Sequence, residues 1–302
     1  DNEDGIIQQN EVEIAPFQDS ANVLRQIVFT DDFIRTNNII FNQSLRIEPR
    51  AIWYTEKGFK KFLSRFSTSS SLQITRKVKN SPDVSPWNPF QLDIIDTSLV
   101  ATRSGIRNVL IFNPNDPKFS MELGASDNQD KTVLTTGFES RRREEQFFKT
   151  RWNAMKTIST KIEFGTGRKI QDSEQFDNKD YNIQFFSLKP EVTWLPIKTF
   201  RTILNYRFED SKNTLEDSDE FATQHEVELE MRYNQPSKIS LTSSFSFVKI
   251  NFNGEANSPV GFAFLNGLQN GNNFLWNLTL DRQLARNMRL SLSYEGRKTG
   301  TG

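Results

Sequence analysis

From residue 38 onward the chain is a succession of segments in which apolar and polar side chains alternate, joined by links that are by turns short and long. The last hairpin shows the side-chain alternation most plainly. In "NFLWNLTLDRQLARNMRLSLSYEG", Phe274, Trp276, Leu278 and Leu280 share one face, and Leu275, Asn277, Thr279 and Asp281 the other. After the turn "LARN", Met288, Leu290, Leu292 and Tyr294 alternate with Arg289, Ser291, Ser293 and Glu295. Period two is the mark of a strand with one face in an apolar environment. The pattern recurs upstream, for example over Phe41–Ile47, Phe119–Ala125, Ile158–Phe164, Phe200–Phe208 and Val227–Tyr233, and no long segment has a helical period. Two runs change phase, near Phe185–Phe186 and near Phe247–Val248. β-Bulges are predicted there.

The links decide between β architectures. Short ones ("YTEKG", "NPNDP", Met155–Thr157, "LPIK", "NQPS", "LARN") are interleaved with long ones (79–97, 127–138, "QDSEQFDNKD", "DSKNTLEDSDE", 253–272). A sandwich has no reason to obey such a rule. A transmembrane β-barrel does, because tight turns face the periplasm and long loops face outward. The strands run to about 10–17 residues, against about 9–11 needed to cross a bilayer at a 45° tilt and about 5–6 in globular sheets. Trp53, Trp152, Trp194 and Tyr233 fall beside short turns, and Tyr181, Tyr206, Trp276 and Tyr294 toward the long-loop ends. These positions predict two aromatic girdles around an apolar band.

A barrel wall also accounts for the composition. Only 35% of residues are hydrophobic, yet the chain holds 26 Phe, too many aromatics for a disordered chain. Lipid supplies the apolar surroundings outside and water fills the inside, so one face alone needs large hydrophobics. The 38 basic and 38 acidic residues cancel, so no basic excess points to nucleic acid. There is no cysteine, which removes disulfides and thiolate chemistry and suits an oxidising envelope. No apolar run approaches the length of a membrane helix, and the start, "DNEDGIIQQN", is too acidic for a signal peptide. The expected organisation is an irregular lead-in over 1–37 and an all-β, antiparallel up-and-down transmembrane β-barrel region over 38–302, with about twelve strands visible as part of a larger barrel.

The stretch "GLQNGNNFLWNLTLDRQLARNMRLSLSYEGRKTG" (267–300), with "QSLRIEPRAIW", "KKFLSRFST", "SPWNPF" and "IRNVLIFN" earlier in the chain, resembles the C-terminal barrel region of very large outer-membrane proteins of the Bacteroidota. The likeness covers most of 38–300 and contains no catalytic motif. It implies an outer-membrane location and a place in an envelope machine, either a barrel-assembly accessory or a part of type 9 secretion. In that family one more strand ending in an aromatic residue usually follows "SYEGRKTG". Its absence here suggests a fragment that lacks its final strand.

Chemistry-bearing residues are sparse. His225 is the one histidine, and a general base or zinc ligand needs partners that the sequence does not offer. "FGTGRK" (164–169) lacks the third glycine and the following helix of a phosphate loop, and reads as strand-end glycines. "DNQDK", "DNKD" and "LEDSDE" put carboxylates in the long links without the spacing of a calcium loop. No catalytic residue, cofactor or metal is expected. Arg141, Arg142 and Arg143, in "ESRRREEQ" at the base of an outer loop, are candidates for contacting lipopolysaccharide phosphates, against the plainer reading of a solvated loop edge. Glu226, Glu228 and Glu230 share a face that would line a lumen, either biasing it toward cations or pairing with Arg and Lys next door. The expected function is a non-enzymatic structural or assembly subunit of a bacterial envelope complex. Its partners are outer-membrane lipid, lipopolysaccharide and other envelope proteins or further strands. The alternatives are an outer-membrane pore or uptake channel and, less favoured, an outer-membrane enzyme or a soluble β-sandwich.

Overall fold

The period-two segments form twelve strands, and the chain folds as an all-β, up-and-down sheet in which sheet order equals chain order. The computed structural model describes residues 35–80, 84–85, 87–91, 98–134, 137–216, 218–285 and 287–301. Residues 1–34 of the lead-in lie outside these, and Thr36 and Asn37 already belong to the first strand. The strands are β1 (Thr36–Ile47), β2 (Phe66–Lys79), β3 (Leu99–Phe112), β4 (Phe119–Leu134), β5 (Gly137–Met155), β6 (Ile158–Ser173), β7 (Tyr181–Ile197), β8 (Phe200–Asn213), β9 (Phe221–Gln235), β10 (Ile239–Phe252), β11 (Gly271–Ala285) and β12 (Met288–Thr301). Every neighbouring pair is antiparallel. Among the described residues β1 and β12 each have one strand neighbour.

The sheet is curled. Residues of one face, from Arg46 on β1 through Glu122, Lys149, Glu163, Lys189 and Arg207 to Glu228 on β9, line a single cleft. That face is therefore concave. Close approaches accompany the bend. Gly124 lies under the ring of buried Phe147, where a Cβ would come within 2.2 Å of the ring. On the convex side Trp276 lies across Gly296 in the same way.

Turn chemistry is local. In the β3–β4 turn Asn113 takes a positive φ of 52°. Asp116 accepts backbone N–H bonds from Lys118 (2.8 Å) and Phe119 (3.3 Å). These bonds, that of Lys118 foremost, hold its carboxyl below the usual carboxylate range.

Three expectations about strands and links are corrected. The first strand stops at Ile47 instead of running to Trp53. Pro49 cannot donate to a ladder, and two helical turns, α1 (Arg50–Trp53) and α2 (Phe59–Leu63), flank the expected short link "YTEKG", so the connection to β2 runs over 48–65. The long link expected over 127–138 is mostly strand, because β4 runs to Leu134 and β5 begins at Gly137. The bulges expected at Phe185–Phe186 and Phe247–Val248 are absent, and pairing runs through both without a shift. Register shifts fall at strand ends instead, at Trp152/Met155, Trp194/Ile197 and Gln283/Ala285 among others.

The phase changes have another cause. The link after β10 folds inward and carries helix α3 (Pro259–Leu265). Ser258 caps it, accepting from the Gly261 N–H at 2.9 Å, Pro259 suits the first turn, and Asn266 ends it in the left-handed region. Val260, Phe264 and Leu265 of α3 pack on Ile183, Ala222, Val248, Ile250 and Phe252 of the concave face. Beyond about Phe185 on β7 and Val248 on β10, the apolar partner lies inside. The hydrophobic side of the strand changes over while its backbone stays regular.

Candidate functional site

The two faces of the sheet have opposite chemistry, and the pleat sorts residues between them. The convex face holds Leu110, Leu123, Trp152, Phe164, Val192 and Trp194 on β3–β7, and Leu204, Val227, Met231, Phe245, Leu278 and Leu292 on β8–β12. All are large, hydrophobic and exposed. Leu123 is 58% exposed and Trp152 56%, values that burial in a protein core would not leave. So contiguous an apolar surface marks an interaction with something apolar.

The concave face carries the candidate site, a lattice of charges laid out by strand register. One row runs Lys149, Glu163 and Lys189 across β5–β7 and continues as Arg207 and Glu226 on β8 and β9. Glu163 sits between Lys149 (2.8 Å) and Lys189 (3.1 Å), and Arg207 reaches Glu226 at 3.9 Å. The row beneath pairs Lys161 with Glu191 at 2.9 Å, and Asn205 donates to Glu228 at 3.1 Å. These groups border a cleft of about 870 Å³. Most of the pairs are partly solvated, where an ion pair contributes about 0–1 kcal/mol, so they set the field of the surface more than they hold the sheet together.

Glu209 is the exception. Its side chain is 8% exposed between Arg207 (2.5 Å) and Lys169 (3.5 Å). A carboxylate this deep persists because two cations face it. Sequence reading missed this trio, since Lys169 and Glu209 lie on β6 and β8 with β7 between them.

Glu226, Glu228 and Glu230 do face inward, and each has a partner. Ser246 donates to Glu226 (3.1 Å) beside Arg207, Asn205 donates to Glu228, and Arg232 pairs with Glu230. His225 lies on the convex face, hydrogen-bonded through Nδ1 to the Tyr206 hydroxyl (2.8 Å) and packed on Phe208. Gly165 and Gly167 of "FGTGRK" are inside β6 and face the concave side. A Cβ on Gly167 would collide with the Glu144 carbonyl oxygen.

The aromatic positions divide. Trp152, Trp194 and Tyr233 lie on the convex face within a few residues of the tight-turn ends of β5, β7 and β9. Tyr206, Trp276 and Tyr294 are convex but mid-strand. Trp53 is in α1, and Tyr181 opens β7 on the concave side. The arginine run divides as well. Arg142 is convex, bidentate to Asp127 (3.0 and 2.7 Å) and 2.8 Å from Glu144, which Arg168 also reaches at 2.6 Å. Arg141 and Arg143 point to the concave side, opposite Asp130 and Asn128. All three sit within strand β5 and not at a loop base, and alternation alone prevents them from acting as one patch. Among the described residues no three His, Cys, Asp or Glu are grouped to hold a metal.

No family model matches the sequence, and no curated protein matches it. Among solved structures, the chain is similar to the FrpB iron transporter from Neisseria meningitidis (F5-1 variant) in its apoprotein form, with a TM-score of 0.47 and 8% sequence identity. The match covers 88% of this chain and 46% of the transporter, so the chain spans about half the length of that protein.

Proposed function

We propose that this chain is a length of outer-membrane β-barrel wall, non-enzymatic, whose concave side borders an aqueous passage. The carrying observation is the inversion of faces, with exposed large hydrophobics on the convex side and a hydrated charge lattice on the concave side. A soluble sheet would cover the first, whereas a membrane wall presents it to lipid and keeps the second wet. On this reading the convex surface meets lipid and, at its charged rim around Arg142 and Arg168, lipopolysaccharide. The test is electrophoretic and electrical. The folded chain in detergent should show heat-modifiable mobility and, in planar bilayers, conductance steps. Mobility that does not change on boiling refutes the barrel, and a silent barrel refutes the passage.

A second reading has its own observation. β1 and β12 leave one edge each without a strand neighbour among the described residues. Hydrocarbon does not tolerate an open edge, because the backbone N–H and C=O groups there go unsatisfied. Further strands, from the same protein or another, must complete the wall. This supports a structural or assembly subunit of a larger envelope complex, including the barrel-assembly and type 9 secretion settings implied by the family resemblance. Co-purification with other envelope proteins at fixed stoichiometry is the expected result, and a clean monomer counts against it.

A further inference from the structure

Away from the 870 Å³ cleft, toward the opposite end of the strands from the tight turns, the concave face has a second recess of about 380 Å³. This is at the small end of the roughly 300–1,000 Å³ typical of ligand sites. Five cationic residues border it, with one carboxylate, Asp130; four of them, Arg103, Arg141, Arg143 and Lys169, direct their side chains to the concave side, while Arg142 turns its own to the convex side. The rest of its concave-side lining is neutral and polar, with the amides of Asn42, Gln73 and Asn128 and the Tyr181 phenol.

Three of the four cations are fixed. Arg103 holds Asp130 Oδ2 with two N–H groups (3.2 and 2.7 Å). Arg143 reaches Glu145 at 3.3 Å and Lys169 reaches Glu209 at 3.5 Å. Both also lie over the buried Phe185 ring, at 5.3 and 5.5 Å from its centroid, a contact that orients a cation. Arg141 is the fourth. Its cross-strand neighbours are Asp130, already held by Arg103, and Gln171. No carboxylate pairs with it among the described residues, and its side chain is exposed. The recess therefore offers one free guanidinium fork amid preset positive charge and hydrogen-bonding amides.

We propose that this recess binds the phosphate monoester of a small polar solute such as a sugar, with Arg141 holding the phosphate bidentately and the amides meeting hydroxyl groups. A guanidinium fork matches a phosphate's oxygens, and amide donors and acceptors suit a polyol. A lipid phosphate is the wrong source, since lipid meets the opposite face. The proposal rests on the reading that the concave face is wet.

The test is calorimetric titration of the purified full chain in detergent at low salt, with glucose 6-phosphate, glucose and inorganic phosphate as probes. Glucose 6-phosphate should bind at one site and glucose should not. Arg141→Gln should weaken binding by about tenfold to a hundredfold, the loss of one charge-assisted pair. Arg141→Lys should recover part of it, and Arg168→Gln, on the convex face and outside the recess, should leave it unchanged. The proposal is overturned if glucose 6-phosphate fails to bind, if Arg141→Gln binds like the parent, if Arg168→Gln loses as much, or if inorganic phosphate binds as tightly as the ester. Heat-modifiable mobility, scored on the same samples, reports the barrel separately. Its retention without binding refutes the site alone.

Discussion

Leu278→Arg measures directly what the convex face touches. Leu278 is central in the convex run Phe274, Trp276, Leu278, Leu280, lies between Ser243 and Tyr294, and is 42% exposed. If water covers that exposed part, an arginine can lay its aliphatic stem over the same neighbours and extend its head outward. The cost is then that of an ordinary surface change, within about 0.5 kcal/mol. If lipid covers it, the guanidinium sits near the bilayer midplane and costs about 2–4 kcal/mol. That difference is roughly 30-fold to 1,000-fold in the folding equilibrium, at about 1.4 kcal/mol per factor of ten. The adjacent Asn277→Arg is the internal control. It faces the concave side between Ser244 and Glu295, where the new charge finds water and a carboxylate, and its expected cost is near zero. Both variants would be folded into lipid vesicles and unfolded in urea, with heat-modifiable mobility as the readout. Equal stabilities for the two would refute the assignment of the convex face to lipid.

Other perturbations probe separate parts of the structure. Phe264→Ala removes a ring that lies tilted against Phe252, 5.1 Å between centroids, within the α3 core; it should cost about 3–5 kcal/mol and appear as new protease cleavage within 253–270, with the strands intact. Arg76 is fully buried on β2 and donates to the Gln91 carbonyl (2.6 Å) and the Ser85 carbonyl (2.8 Å). Arg76→Met strands both acceptors, at about 1–3 kcal/mol each if they stay buried, and should raise amide exchange at 84–85 and 87–91. The Asp116 carboxyl, held down by the Lys118 N–H, should titrate by NMR below an ordinary aspartate. Because its folded value is the lower one, its contribution to stability is present above the unfolded value and is lost as pH falls through the folded value; Asp116→Ala should remove that acid-side dependence.

Much of this architecture is legible in the sequence because a strand with unlike surroundings writes its environment into every second residue. "MELGAS" and "NFLWNLTL" show which side is apolar before any fold is known. What the pattern does not carry is the identity of the apolar partner. At Phe185 and Val248 the hydrophobic side changes from the exposed convex face to the side packed on α3, and a change of partner looks the same in one dimension as an inserted residue. The α3 signal was present in "NSPVGFAFLNG", with a capping Ser before Pro and Asn-Gly at the end, but the helix is too short to show a period. Residues 127–134 failed for a different reason. With polar side chains on both faces from Asp127 to Thr132 the strand has no apolar period, so "DNQDKTVL" reads as a loop, although its Val133 packs on Val78, Val84 and Leu99. The arginine run shows the limit on the site. Three adjacent arginines look like one patch until the pleat sends the middle one to the other side, and the free fork of Arg141 depends on Asp130 being occupied by Arg103 across two strands.

The length of β5 has a consequence for how such a wall meets its surroundings. Beyond Phe148 its convex positions are polar, Gln146, Glu144, Arg142 and Ser140, as far as Phe138, and the strand continues back to Gly137. Eleven residues at about 3.3 Å each, tilted by about 40° as in a barrel wall, rise some 25–30 Å beyond Phe148. β4 and β6 flank that stretch with continuous ladders. The rim there is a stiff collar, hydrogen-bonded strand to strand. On the reading of a membrane wall, a solute would meet the charges of that collar well before it reached the level of the lipid.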